Sequence, residues 1–203
     1  MSRLAVHLVT WNGNKYYPFL FESLKKQTYR DWSLHVWDNA SEKFADLEQL
    51  IKELGPMVTF HHSAENIGFA GGHNKLYSQT HGDYFVLLNQ DLVLAPDCLE
   101  KLVAVLDAQP DVAVVSPRLM KWDFANQIFT NTIDSLGLKV LRSRRVVELG
   151  GGEEWLEKET DIKTVFGVSG TMPMFRRQAI KGIEFSPTEF FDNCYQSYKE
   201  DVD

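Results

Sequence analysis

Asp91 ends the tripeptide Asn89-Gln90-Asp91, directly behind the apolar run Tyr84-Phe85-Val86-Leu87-Leu88. A run of that length preceded by Gly82-Asp83 reads as a buried strand, and a carboxylate at its C-terminal exit sits where open α/β sheets bind ligands. Two further acidic positions lie elsewhere: Asp38 in Val36-Trp37-Asp38-Asn39-Ala40-Ser41, and the terminal Glu200-Asp201-Val202-Asp203. Three kinds of carboxylate chemistry are open to them. One carboxylate can hold a hard divalent cation such as Mg²⁺ if a diphosphate supplies the remaining oxygens. Another can accept the imide N–H of uracil or thymine, with Trp11 offering an aromatic face for the base. A third can take a proton from a hydroxyl, given an environment that tunes it.

Each site also has a plain structural reading. Asp38 with Asn39 and Ser41 can be a turn and helix cap, because such side chains bond nearby backbone N–H groups. Asn89-Gln90-Asp91 can be a solvated turn, and the terminal acidic run an ordinary tail. The segment Glu65 to Asn74 contains Gly68, Gly71 and Gly72, which would let backbone approach a ligand and expose helix N-terminal amides to phosphate. It matches neither GxGxxG in strand context nor the P-loop.

The elements that must position these residues follow from periodicity. Leu4 to Thr10 is a strand broken by Asn12-Gly13-Asn14, and Pro18 opens a helix whose stripe of Phe19, Leu20, Ser23 and Leu24 runs to Gln27. Leu34 to Trp37 leads a second strand into Asp38. Leu47, Leu50, Ile51 and Leu54 share one helix face until Gly55-Pro56 stops it. A weaker strand, Val58 to His61, precedes a helix from Ala70 to Ser78 entered through Gly71-Gly72. Leu99, Leu102, Val103 and Leu106 repeat the helical spacing behind Pro96, and Val112 to Val115 forms the next strand. The alternation through residue 116 predicts an α/β fold, a mainly parallel central sheet with helices on both faces and its strand-end loops at one edge. From Lys121 to Thr164 the periodicity fades. Gly150-Gly151-Gly152 is expected to be an exposed, mobile connection, and Thr164 to Val168 a further strand entering the turn Ser169-Gly170-Thr171.

Composition narrows the classes. A chain of 203 residues with 44% hydrophobic content supports one domain with one substantial core. Net charge is −7 and the basic residues are scattered apart from Arg142, Arg144 and Arg145, so no nucleic-acid partner is expected. Cys98 and Cys194 form no CxxC pair, which argues against a zinc site or disulfide framework and fits a reducing cytoplasm. No run reaches the roughly 18 apolar residues of a membrane-crossing helix, and the N-terminus has no signal-peptide character. Any membrane contact would be peripheral, at the inner face.

Taken in order, Thr10-Trp11-Asn12, Asp38-Asn39-Ala40-Ser41, Asn66-Ile67-Gly68-Phe69-Ala70-Gly71-Gly72-His73-Asn74, Leu87-Leu88-Asn89-Gln90-Asp91, Gly167-Val168-Ser169-Gly170 and Glu200-Asp201-Val202-Asp203 closely resemble the family 2 glycosyltransferases. The resemblance spans essentially the whole chain. Within the family, the NxGFAGGxN run and the LNxD form are similar to bacterial rhamnosyltransferase-type enzymes of surface-polysaccharide assembly. It implies a GT-A, Rossmann-like fold in a single domain, with residues 1–116 as the nucleotide-binding half and 117–203 as the start of an acceptor half. The implied activity is inverting transfer of a sugar, rhamnose in that subgroup, from a UDP- or dTDP-sugar to a glycan or lipid-linked acceptor.

By position, Thr10, Trp11, Asn12 and Asp38 would hold the nucleoside, with Asp38 on the base, and Asn66, Gly68 and Phe69 would line its pocket. Asn89 and Gln90 would contribute to nucleotide-sugar binding, and Asp91 would bind Mg²⁺ or Mn²⁺. Asp201 would be the base, with Glu200 as second choice. Two departures stand out: the family's DxD is reduced to Asn-x-Asp, and the chain stops right after its ED motif, where such enzymes continue, so a truncated enzyme is expected. Two rival classes remain: a nucleotide-sugar-binding module that no longer transfers, and a nucleotidyltransferase-like α/β enzyme, which would want a more glycine-rich, basic first loop.

Overall fold

The computed structural model describes residues 2–55, 57–156 and 162–194. The first half follows the alternation: β1 (Leu4–Thr10), α1 (Tyr17–Lys25), β2 (Trp32–Asp38), α2 (Ala45–Leu54), β3 (Val58–His62), α3 (Gly68–Gln79), β4 (Tyr84–Leu88), α4 (Cys98–Ala108) and the short β5 (Val114–Val115). The second half adds β6 (Leu119–Asp123), β7 (Ile128–Ser135), β8 (Leu138–Val140), β9 (Val146–Glu148), β10 (Met174–Arg176) and the single-turn α5 (Arg177–Ile180). The main sheet has six strands in the order β3-β2-β1-β4-β10-β5. The first four are mutually parallel, whereas β10 runs antiparallel to both β4 and β5.

Alternation along the strands divides the core in two. Leu4, Val6 and Leu8 of β1, with Leu34, Val36, Val86 and Leu88, meet α1, α2 and α4 on one face. Ala5, Phe85 and Leu87 meet Ala70 and Tyr77 of α3 and Ile180 of α5 on the other. A sheet buried on both faces explains why β4 reads as an unbroken apolar run.

The structure corrects several expectations. Helix α3 begins at Gly68, whose φ of +80° suits glycine, so Gly71 and Gly72 lie inside it rather than at its entrance. Gly72 is there for packing: a Cβ would come within 2.9 Å of both Val9 methyls and 3.3 Å of Trp37. That close approach seats the helix on β1 and β2. Thr164 to Val168 forms no strand and contributes only an isolated bridge between Gly167 and Leu138. The strand that enters the sheet is β10, which begins six residues after Val168. The stretch from Lys121 to Thr164 holds two antiparallel hairpins, β6–β7 and β8–β9. Gly150-Gly151-Gly152 is a hydrogen-bonded turn, with Gly152 N–H donating to the Ile133 carbonyl and Glu153 N–H to that of Gly150.

Under α3 lies a pair of fully buried imidazoles. His7 Nε2 meets Thr80 Oγ1 at 2.7 Å, and Thr80 Oγ1 donates onward to the Leu76 carbonyl, so the His7 ring is the donor. His73 has neither ring nitrogen hydrogen-bonded among the described residues and packs edge-on to Phe69, with ring centroids 4.3 Å apart. Burial pushes the His73 imidazolium down to about 3 and that of His7 well below the ordinary range. A depressed folded-state value means that the neutral rings stabilise fully above the unfolded value near 6.5, and that stability is lost as pH falls through the window below it. The expected slope is about 1.4 kcal/mol per pH unit for each ring. Urea midpoints measured at pH 7, 6 and 5 should therefore fall steadily, and His73→Leu should flatten the decline by about one proton's worth.

Candidate functional site

The C-terminal ends of β1, β2 and β3 lie in register, with Thr10 opposite Asp38 and Asp38 opposite His62. Their side chains meet. Asp38 is fully buried, and its Oδ1 accepts from Thr10 Oγ1 at 2.9 Å and Ser41 Oγ at 2.5 Å. Its Oδ2 accepts from Ser41 N–H at 3.1 Å and lies 2.7 Å from His62 Nδ1. These contacts make Asp38 the hub that fixes three neighbouring side chains, Thr10, Ser41 and His62. Ser41 passes the order outward, since its Oγ also accepts from Asn12 N–H at 2.8 Å, while Asn12 Oδ1 accepts from Glu42 N–H.

Asn39 fastens the glycine loop to the same edge. Its Oδ1 accepts from Trp37 Nε1 and Ile67 N–H, and its Nδ2 donates to the Gly68 carbonyl at 2.9 Å. Asn66 is exposed, and its Oδ1 accepts from Gly68 N–H at 2.9 Å. Phe69 turns inward, packing with His73 and Phe191. Asn74, at the end of the motif, accepts from Phe190 and Phe191 N–H and donates to the Phe191 carbonyl and Asn193 Oδ1. It ties α3 to the segment that leads toward Glu200 and Asp201, which themselves lie outside the described residues.

At the exit of β4, Gln90 pairs twice with the Trp11 backbone, accepting from its N–H at 3.0 Å and donating to its carbonyl at 3.1 Å. One donor and one acceptor of that amide hold the β1 loop in place. Gly13 fits beneath it: a Cβ there would lie 2.3 Å from Gln90 Oε1. Trp11 is 56% exposed. Asp91 is exposed with no hydrogen-bond partner among the described residues, and Asn89 N–H donates to the Thr171 carbonyl at 3.2 Å. Strand β10 thus brings Ser169-Gly170-Thr171 beside Asn89.

Among the described residues no cluster of three or more His, Cys, Asp or Glu could hold an ion alone. The donors present, the Asp91 carboxylate and the Asn89 side-chain amide, are hard oxygens. They fit a magnesium- or manganese-type ion that takes its other ligands from phosphate and water. A groove of about 1700 Å³ is lined by Asn89 and Asp91 together with Trp122, Phe129, Trp155 and Phe166. Arg118 stacks over Trp155 at 3.9 Å inside it. Cys98 is no nucleophile candidate, because burial pushes its thiol up to about 12.

The profile of the family described as "Glycosyl transferase family 2" matches residues 5–183. The chain belongs to glycosyl transferase family 2. Among relatives of this family 2 chain, a colanic acid biosynthesis glycosyl transferase of Escherichia coli K12, WcaA, is 24% identical over 102 residues, covering 50% of this chain and 37% of its own length. Among solved structures, Staphylococcus aureus TarS 1-349 in complex with UDP superposes with a TM-score of 0.67 at 15% identity, over 98% of this chain and 53% of that one. The mannosyltransferase PcManGT of Pyrobaculum calidifontis, in complex with GDP-Man and Mn²⁺, gives a TM-score of 0.54 at 25% identity, over 62% of this chain and 38% of that one. The family 2 chain therefore spans about half or less of the length of these relatives. The mostly parallel sheet with helices on both faces is the GT-A, Rossmann-like arrangement. No helix among the described residues is long and apolar enough to cross a membrane.

Proposed function

We propose that this chain is the donor-binding part of an inverting glycosyltransferase that moves a sugar from a nucleoside diphosphate to a hydroxyl of a glycan or lipid-linked acceptor. The observation that carries the reading is the convergence, at one sheet edge, of a buried hydrogen-bonded aspartate network and a carboxylate with no partner among the described residues. Thr10, Asp38, Ser41 and His62 are locked together, whereas Asp91 at the neighbouring strand exit has no protein partner among the described residues and is free to take an ion. TarS with UDP and PcManGT with GDP-Man and Mn²⁺ support a nucleotide-diphosphate ligand. The WcaA likeness supports a surface-polysaccharide setting, and the rhamnosyltransferase-like motifs support rhamnose as the sugar, from a UDP- or dTDP-donor. The setting is cytoplasmic, with peripheral contact at the inner membrane face to reach a lipid-linked acceptor.

Asp91, with Asn89, would hold the divalent ion at the donor phosphates. When bound, that ion supplies positive charge against the charge that develops on the departing diphosphate. Trp11 offers its exposed face at the nucleoside end, and Asn66 and the Gly68 backbone border that end. The groove that runs from Asn89 and Asp91 to Trp122, Trp155 and Phe166 seats the acceptor beside Asp91. Asp201, with Glu200 beside it, takes the proton of the acceptor hydroxyl as that oxygen bonds to the anomeric carbon and the bond to the diphosphate oxygen breaks. A single displacement inverts the anomeric centre.

A thermal-shift screen of UDP, dTDP, GDP and their sugars, with and without Mg²⁺ or Mn²⁺, tests the reading. Ligand linkage raises stability by about 2.7 kcal/mol at a hundredfold excess over Kd, so a cognate nucleotide should lift the melting temperature visibly in the presence of metal. A folded protein that responds to no nucleotide would overturn the proposal. In the whole protein, Asp201→Asn should abolish transfer and leave nucleotide binding intact; surviving turnover would remove Asp201 as the base.

A further inference from the structure

Arg142, Arg144 and Arg145, the one basic cluster in an otherwise scattered distribution, have no place in the donor site. In the fold they form the tip between β8 and β9. Residues 139–145 are all exposed, adding Lys139 and the apolar pair Val140 and Leu141 to the three arginines. None of these four cations has a side-chain hydrogen bond or ion pair among the described residues. The hairpin's single carboxylate, Glu148, sits at the other end, opposite Leu138, and accepts from Ser135 Oγ. At the tip, Leu141 N–H donates to the Arg145 carbonyl at 2.9 Å and Arg144 N–H to the Leu141 carbonyl at 2.8 Å. Arg144 closes this turn at φ +64°, in the left-handed region where glycine is the usual residue of such a loop. A cation standing where glycine would fold at lower cost points to a use for its side chain.

The root of the hairpin belongs to the groove. Leu136, Gly137, Leu149 and Gly150 line it, and Leu138 N–H donates to the Gly167 carbonyl at 2.8 Å. Gly137 allows that approach: a Cβ there would lie 2.9 Å from a Val165 methyl and 3.1 Å from the Gly167 carbonyl oxygen. Resting on the reading of a lipid-linked acceptor above, we propose that the hairpin tip docks the protein on an anionic phospholipid surface, so that the groove at its root meets an acceptor held in the bilayer. Headgroup phosphates take the guanidinium forks, and Val140 and Leu141 reach the boundary of the acyl chains. Charge supplies the attraction within a Debye length of the surface, and the apolar pair adds the share that salt does not screen. The chain's net charge of −7 opposes adsorption by other faces, so the hairpin sets orientation as well as binding. Four cations within residues 139–145 make no track for a nucleic-acid backbone, and the apolar pair between them suits a bilayer.

Co-sedimentation with vesicles of phosphatidylcholine alone, and of phosphatidylcholine with phosphatidylglycerol, tests the proposal. The protein should bind the anionic vesicles only, and high salt should release most of it. Each basic residue at an anionic surface is worth roughly fivefold in partitioning, so Arg142→Gln/Arg144→Gly/Arg145→Gln should lower the partition coefficient about 100-fold. The charge-matched control Lys26→Gln/Lys52→Gln/Lys75→Gln removes exposed lysines at the end of α1, on α2 and on α3, and should bind as the unaltered protein does. Equal losses in the two triple variants would reduce the effect to net charge and overturn the proposal, as would equal binding to both vesicles or binding to neither. Capture of RNA or DNA in preference to anionic vesicles, lost in the arginine variant, would overturn it too. Arg144→Gly alone relieves the left-handed residue, so it should fold at least as well as the unaltered protein. It should still bind anionic vesicles about fivefold more weakly, which decides the matter should the triple variant fail to fold. Nucleotide titrations on the same samples separate the two readings. A protein that binds nucleotide but no vesicle keeps the donor site and loses the docking surface; one that binds anionic vesicles through its arginines but no nucleotide keeps the docking surface and loses the donor site.

Discussion

Asp38→Ala is expected to destabilise the protein by about 3–5 kcal/mol, the usual cost of removing one partner from a buried charged network. The reason is the number of groups left behind. Thr10 Oγ1, Ser41 N–H and Oγ, and His62 Nδ1 all direct their hydrogens at one carboxylate without solvent access. Alanine would orphan all of them, and each buried unsatisfied polar group costs about 1–3 kcal/mol unless it can relax to water. Against a typical total of about 5–15 kcal/mol, the loss is large enough to leave the variant partly unfolded at growth temperature. Asp38→Asn keeps the shape but turns one acceptor into a donor that opposes Ser41 or His62, so it should recover only part of the loss. Urea unfolding followed by tryptophan fluorescence measures both. A loss below about 1 kcal/mol for the alanine variant would mean that the network is not formed in solution.

Asp91→Ala should do the opposite, leaving stability within about 0.5 kcal/mol, because an exposed side chain without partners among the described residues has little to lose. Its effect belongs to binding. It is the sole carboxylate of Asn89-Gln90-Asp91, and among the described residues no cluster of three or more His, Cys, Asp or Glu offers an ion a site without it. The metal-dependent part of nucleotide affinity should fall at least about 100-fold, since losses of 10–100-fold already follow from removing groups that merely support a ligand. Titrating nucleoside diphosphate with and without Mn²⁺ into both proteins separates the two contributions. Equal metal dependence in the two would place the ion elsewhere.

The two variants differ because of where one strand exit ends and the next begins, and much of that was legible in the sequence. Strand β4 is a continuous apolar run and β1 and β2 are mostly apolar, with ends at Leu88, Thr10 and Asp38, and α2 and α4 carry regular apolar spacing. Strand β10 was illegible for a physical reason: three residues, Met174–Arg176, are too few to show a period, and what makes them a strand is the unpaired edge of β4. The hairpins β6–β7 and β8–β9 escaped notice because each buries little of its surface, leaving Ile128, Phe129, Val140 and Leu141 exposed.

The site divides in the same way. Asp91 stands free at the strand exit its sequence context implied, but Gln90 and Phe69 are engaged by the protein itself. Composition cannot distinguish an amide aimed at a ligand from one aimed at the Trp11 backbone. His62 was missed because a histidine in a weak strand gives no signal until register sets it beside Asp38. Asn39 and Asn74 likewise show their purpose only through long-range bonds to the Gly68 carbonyl and to the backbone of Phe190 and Phe191.

Paramagnetic broadening by Mn²⁺ tests the central claim, a nucleoside diphosphate and its ion seated at the exits of β1 and β4. In ¹H–¹⁵N spectra recorded with substoichiometric Mn²⁺ and saturating nucleotide, the amides of Asn89 to Leu92 and of Gly170 and Thr171 should vanish first. They should persist with Mn²⁺ alone and in Asp91→Ala, because one carboxylate needs the phosphates to complete the ion's ligands. Broadening centred anywhere else, or broadening at Asp91 that nucleotide does not strengthen, would contradict the account.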